Sequence, residues 1–161
     1  MTRSATAELE RLARGEEETR RLAALVGRKA KPGDVVCLEG PLGAGKTTFA
    51  QGFARAAGFR GSVTSPTFAI ARRYAFGRRV IHHLDLFRVS ARDLPNLALE
   101  EYFDDPAAIC LVEWPEAARA VLPADRLEIV FTHEPGARVL RFSASGPRSR
   151  ALLPPAERVR R

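Results

Sequence analysis

Residues 40–47 read Gly40-Pro41-Leu42-Gly43-Ala44-Gly45-Lys46-Thr47 and follow directly on the apolar run Val35-Val36-Cys37-Leu38-Glu39. The spacing is G-x-x-x-x-G-K-[ST]. Glycines let a backbone curl until successive amide hydrogens converge, and a helix that begins in the loop turns the positive end of its dipole on the same point. A polyphosphate fits such a cradle, held by the amides of Gly43, Ala44 and Gly45. Lys46 would reach the β- and γ-phosphate oxygens, and the Thr47 hydroxyl would enter the shell of a magnesium ion. The flanks agree with the motif: a short buried-type strand precedes it. From Lys46 to about Ala57 the recurrence of Phe49, Phe53 and Ala57 at every fourth position predicts a helix starting in the loop.

Working outward, the 161 residues have the length of one ordinary domain, able to bury a core without staples. With 45% hydrophobic and 28% charged residues the chain falls among globular proteins. No apolar run approaches the roughly 20 residues of a membrane helix, and the opening "MTRSATAELERLARGEEE" has no apolar block of the secretory kind. No membrane association is expected, and a cytoplasmic location is. Cys37 and Cys110 each stand inside an apolar run and read as buried strand thiols rather than a disulfide or metal pair. The net charge of +7 is carried almost wholly by arginine, the only lysines being Lys29, Lys31 and Lys46.

Residues 16–30, "EEETRRLAALVGRKA", carry acids ahead of an apolar stripe and bases behind it, the signs that suit the two ends of a helix. Two β-type runs flank Gly77 and predict a hairpin or strand pair. "ARDLPNLALEEYF" reads as a helical stretch interrupted at Pro95. "AICLVE" is another buried strand, and "RLEIVF" and "RVLRFSA" are two late strands joined by "THEPGA". Residues 1–15 form an N-terminal extension, 16–145 the nucleotide domain, and 146–161 a basic tail expected to pack poorly.

Two acids stand where a phosphate loop needs them. Glu113 ends the apolar run 108–113 and Asp85 ends "VIHHLD", and strand ends beside such a loop supply the acids that hold magnesium or orient water. The sequence does not divide these roles between them. Ser65-Pro66-Thr67 lies some twenty residues past Lys46, the distance at which switch-type NTPases place a loop that senses the γ-phosphate. The only asparagine, Asn96, precedes leucine, so the Asn-Lys-x-Asp segment that reads guanine is absent and ATP is the expected nucleotide. The only glutamine, Gln51, lies a turn into the predicted helix. Hydrolysis would therefore rest on a carboxylate or on a group lent by a partner. The histidines lack metal-ligand spacing, and Trp114 reads as packing.

The ordered series "LEGPLGAGKTTFAQGFARAAG", "VTSPTFAI", "HLDLFRV", "LEEYF" and "ICLVEWPE" resembles the TsaE (YjeE) family over about residues 16–142. The phosphate loop is generic; "SPTF", "HLDLFR" and "EWPE" at these spacings are specific. The resemblance implies an α/β fold of the P-loop NTPase type, with a central sheet, mostly parallel with antiparallel strands, flanked by helices. It implies an ATPase in bacterial threonylcarbamoyladenosine synthesis on tRNA, slow alone, working with the TsaB and TsaD proteins and touching tRNA through them. It carries nucleotide contacts onto Lys46, Thr47, Thr48, Ser65 and Thr67, and more loosely onto Thr19. Asp85 and Glu113 take the catalytic and magnesium roles together with Lys46 and Thr47. Phe87, Val89 and Ala98 depart from the family pattern, Ala98 standing where many relatives have glycine.

Two other readings remain open on the residues. A small-molecule or nucleoside kinase would share the loop and could use "ARRYAFGRR" as a lid. A docking module would bind nucleotide with hydrolysis incidental.

Overall fold

The computed structural model describes residues 5–66 and 69–157. Thr67, one of the expected nucleotide contacts, lies outside the described residues. The elements in chain order are β1 (Ala7–Ala13), α1 (Glu16–Gly27), β2 (Val35–Glu39), α2 (Lys46–Ala57), β3 (Ala71–Phe76), β4 (Arg79–Asp85), α3 (Leu94–Leu97), α4 (Leu99–Phe103), β5 (Ala108–Glu113), a 3₁₀ turn (Pro115–Ala118), β6 (Leu127–Glu134), β7 (Ala137–Ala144) and α5 (Pro147–Ala151).

One seven-stranded sheet runs β1-β7-β6-β2-β5-β4-β3. Its centre, β6-β2-β5-β4, is parallel, and its margins, β3 on one side and β7 with β1 on the other, are antiparallel. The α/β class with a mixed sheet is therefore the observed one. The innermost strands β2 and β5 are apolar without alternation because both of their faces are covered. Along β2, Val36 and Leu38 enter one core with Phe49, Phe53, Ile129 and Phe131, while Val35 and Cys37 enter a second with Leu84, Leu99, Cys110 and Val112. The first core lies under α1 and α2. These two helices approach closely at glycines: a Cβ on Gly27 would lie 2.3 Å from the Phe53 carbonyl oxygen, and one on Gly52 would lie 2.8 Å from that of Arg20.

The margins differ from the sequence expectation. Residues set apart as an N-terminal extension contribute β1, which pairs with β7 over its whole length, from Ala7 opposite Ala144 to Ala13 opposite Arg138. Of the segment expected to pack poorly, Pro147–Ala151 form α5 and Leu152 is buried in the first core; its last four residues lie outside the described ones. It is tied down through Asp125, whose carboxylate accepts from the Arg148 and Ser149 amides and from the Ser149 hydroxyl. The break in the helical stretch falls at Ala98, which is left-handed (φ 47°) between α3 and α4, and not at Pro95. Proline is tolerated in a first turn, where its missing N–H has no partner to lose. No helix among the described residues is long and apolar enough to cross a membrane.

Candidate nucleotide site

The phosphate loop joins the end of β2 to the start of α2, so it emerges where the parallel strands end, between β5 and β6. Gly45 precedes α2 in the left-handed region (φ 107°), a conformation that an L side chain resists. The loop borders a cavity of about 720 Å³, into which Gly43 through Thr48, Ser65, Asp85 and Glu113 all face.

β4 and β5 lie parallel in a register that sets Asp85 beside Glu113, and Leu38 of β2 also pairs with Glu113. The two carboxylates are held differently. Glu113 is 2% exposed, and one of its oxygens lies 2.8 Å from His83 Nε2. His83 is itself fully buried, with Nδ1 3.2 Å from the Tyr74 hydroxyl, which stands 3.0 Å from the Thr64 carbonyl. A file of polar groups thus runs from the acid on β5, through β4 and β3, to the residue before Ser65. Burial pushes the Tyr74 hydroxyl above its ordinary pKa. Asp85 is half-buried at the cavity wall. It accepts from the Ser65 hydroxyl at 3.1 Å and from the Phe87 amide at 3.0 Å.

Lys46 Nζ donates to the Gly40 carbonyl and, at 3.0 Å, to the Pro41 carbonyl. It also lies 4.0 Å from the centre of the Trp114 ring. Burial lowers the Lys46 pKa from its ordinary value, against the opposing pull of Glu113, Asp85 and Glu116. Trp114, read from sequence as packing alone, faces the cavity in a left-handed conformation (φ 56°) and also meets the Phe87 ring at 4.7 Å. The signal for it was its place directly after the strand-end acid.

Thr19 is not drawn into the cavity. It is buried in the first turn of α1, where its hydroxyl donates to the Gly15 carbonyl at 3.0 Å; its neighbour Glu16 faces the cavity instead. The arginines of "ARRYAFGRR" do not face it either. They lie along the β3–β4 hairpin at the sheet margin, so this segment is not a lid over the loop. Arg138, at the start of β7, has no motif to single it out among the many arginines of the sequence. It borders the cavity on the side of the loop away from the acids.

Among the described residues no three histidine, cysteine or acidic side chains cluster closely enough to hold a metal by themselves. Two adjacent carboxylates and a threonine hydroxyl instead offer hard oxygen donors. Such a set suits magnesium when substrate phosphates complete the shell.

The family model for "Threonylcarbamoyl adenosine biosynthesis protein TsaE" matches residues 13–140. The chain is 43% identical over 137 residues to the tRNA threonylcarbamoyladenosine biosynthesis protein TsaE of Bacillus subtilis, covering 84% of this chain and 85% of that one. The protein of the same name from Mycobacterium bovis is 35% identical over 139 residues, covering 80% and 79%. Among solved structures, that of Bacillus subtilis YdiB superposes with a TM-score of 0.76 at 38% identity, covering 92% of this chain and 93% of the other.

Proposed function

The chain belongs to the TsaE family, named for threonylcarbamoyladenosine biosynthesis, and on that premise we propose that it is a magnesium-dependent ATPase whose cycle drives a TsaB–TsaD pair in tRNA modification. The observation that carries this reading is the convergence on one cavity of the phosphate-loop residues Lys46 and Thr47 with the adjacent acids Asp85 and Glu113.

The residues divide the work as follows. The loop amides and Lys46 bind and orient the triphosphate, so that catalysis is largely positioning and charge stabilisation. Thr47 and Glu113 would hold magnesium, which when bound neutralises charge building on the phosphate oxygens. Glu113, fixed by His83, suits that static task. Asp85, half-buried and bonded to the Ser65 loop, suits the orientation of a water towards the terminal phosphorus, with ADP and phosphate as products. The hydrogen bond from Ser65 to Asp85 ties the switch-like segment to the reacting end of the nucleotide. A change of nucleotide there would alter the surface offered to a partner. The cytoplasm, where tRNA is modified, is the compartment this role requires.

The test is magnesium-dependent ATP hydrolysis by the purified protein, alone and with TsaB and TsaD from the same organism. A low rate alone that rises on adding the pair is the expected result. A protein that binds ATP but ignores the pair would overturn the partner assignment, and a phosphorylated small-molecule acceptor would turn the reading to a kinase.

A further inference from the structure

Charge is segregated along the chain. Residues 40–84 carry six arginines, one lysine and no acid, although the chain holds 19 acids in all. A preference for arginine over lysine would not empty such a stretch of carboxylates. The fold gathers much of this charge on one face. α1 and α2 pack together where Gly52 meets Arg20 and Ala23. Two adjoining grooves of about 480 and 290 Å³ open along them, both bordered by Arg20, Gly52 and Arg55. Arg28 stands at the larger groove and Arg60 at the smaller. Gly58, at the end of α2, abuts Phe76, which brings the β3–β4 turn with Arg78 and Arg79 alongside. Among the described residues Glu17 is the one acid that borders these grooves, and Arg21 holds it at 2.5 Å. Arg28, Arg55 and Arg60 are exposed and form no ion pair among the described residues.

Unpaired guanidiniums gathered on one face fit an anionic partner, either an acidic protein or a nucleic-acid backbone. A protein interface is built around large apolar or aromatic anchors. None of the exposed large hydrophobic side chains, Leu12, Leu42 and Phe87, borders either groove. Unpaired bases would need a free ring on which to stack. Phe59, the one ring at the grooves among the described residues, is already engaged by Tyr74 at 4.9 Å and Phe76 at 6.3 Å. What is left is recognition of phosphates by cations, the manner in which the backbone of paired RNA is bound. We propose that the α1–α2 face binds the phosphate backbone of a base-paired RNA stem directly, through Arg28, Arg55 and Arg60. In tRNA modification the stem is that of the tRNA, which this chain then touches itself and not only through partners. The contact stands on the basic face and does not depend on the ATPase reading.

Binding of an unmodified tRNA transcript to the purified full chain would be followed by fluorescence anisotropy without nucleotide, at about 50 and about 200 mM salt. Arg55→Glu/Arg60→Glu would be compared with Arg92→Glu/Arg141→Glu, an equal change of charge at exposed positions away from the grooves. Thermal midpoints and magnesium-ATP affinities would be recorded for each. The expected result is salt-sensitive binding by the wild type and a loss of about 10-fold or more in Arg55→Glu/Arg60→Glu. Its slope of log affinity against log salt should be shallower by about 2, with a much smaller loss in the comparison variant. No wild-type binding at the lower salt overturns the proposal, as does equal loss in the two variants, which would mark a response to net charge alone. Polyglutamate that displaces tRNA as well as an equal charge of duplex RNA does would also overturn it, in favour of an acidic protein. Should the reversal lower the midpoint, Arg55→Gln/Arg60→Gln takes its place, and unweakened binding by that variant overturns the proposal. A protein that holds tRNA through this face yet hydrolyses no ATP would sink the ATPase reading and leave the RNA contact standing.

Discussion

The phosphate loop has unlike neighbours on its two sides. Towards β5 and β4 stand Glu113 and Asp85, negative and side by side, the deeper one fixed by His83. Towards β6 and β7 stands Arg138, positive and in contact with the loop's own backbone. The first flank is parallel and its residues close apolar runs. The second is an antiparallel hairpin buttressed by the N-terminal strand. Charge of one sign thus stands on each side, the acids on the flank to which the proposed function assigns metal and water.

The sharpest way to break this division is on the acid flank. Asp85→Asn and Glu113→Gln should each lower magnesium-dependent ATP hydrolysis by about 10²–10⁴-fold while retaining ATP binding, measured by phosphate release beside calorimetry. Equal losses of rate and affinity would abolish the assignment of metal and water to this flank.

Next in size is the support beneath that flank. His83→Ala leaves a cavity and strips the buried Glu113 carboxylate of its partner, while Tyr74 keeps the Thr64 carbonyl, so a loss of about 2–4 kcal/mol is expected in urea unfolding. Tyr74→Phe should cost only about 1 kcal/mol.

The two flanks also differ in how far the sequence announced them. Asp85 and Glu113 could be found because a buried strand ends in an acid, a local pattern. β1 could not: in "AELERLA" the alternation of apolar and charged residues breaks at Arg11-Leu12, and only pairing with β7 decides that it is a strand. Arg138 was hidden for the same reason, since register rather than neighbouring sequence brings it to Gly43 and Gly45. Thr19 illustrates the converse. The resemblance carried a nucleotide contact onto it, but it is buried away from the cavity and its hydroxyl is engaged by Gly15 within the helix turn. Trp114 was legible in place and not in conformation.

A smaller effect tests the ground between β4 and β5. Ala98 adopts a left-handed conformation that costs an L residue about 1–2 kcal/mol, so Ala98→Gly should stabilise the fold by about 1 kcal/mol or slightly less, read as a shift of the urea midpoint.

The smallest expected effect is a control on both flanks. Cys37 on β2 and Cys110 on β5 lie in the second core, and burial pushes each thiol up to about 12, Glu128 adding to the rise at Cys37. Iodoacetamide at pH 8 should leave both unmodified in the native protein and label both in denaturant. Since the folded state holds these protons more tightly, their contribution to stability is intact below the ordinary value of 9.0 and lost as pH rises towards 12. Neither Glu113→Gln nor Arg138→Gln should increase native labelling; an increase would mean that the variant had loosened the shared centre of the sheet.

The file from Glu113 to Thr64 can be filled with hydrogens in only two orders, because the Tyr74 hydroxyl has a single one to give. If it goes to the Thr64 carbonyl, His83 must present its own at Nδ1, and the His83–Glu113 pair holds a second hydrogen between them. If it goes to His83, imidazole gives its Nε2 hydrogen to Glu113, and Thr64 loses that donor. The donor that reaches Glu113 and the donor that reaches the backbone leading into Ser65 are therefore chosen together, not one by one.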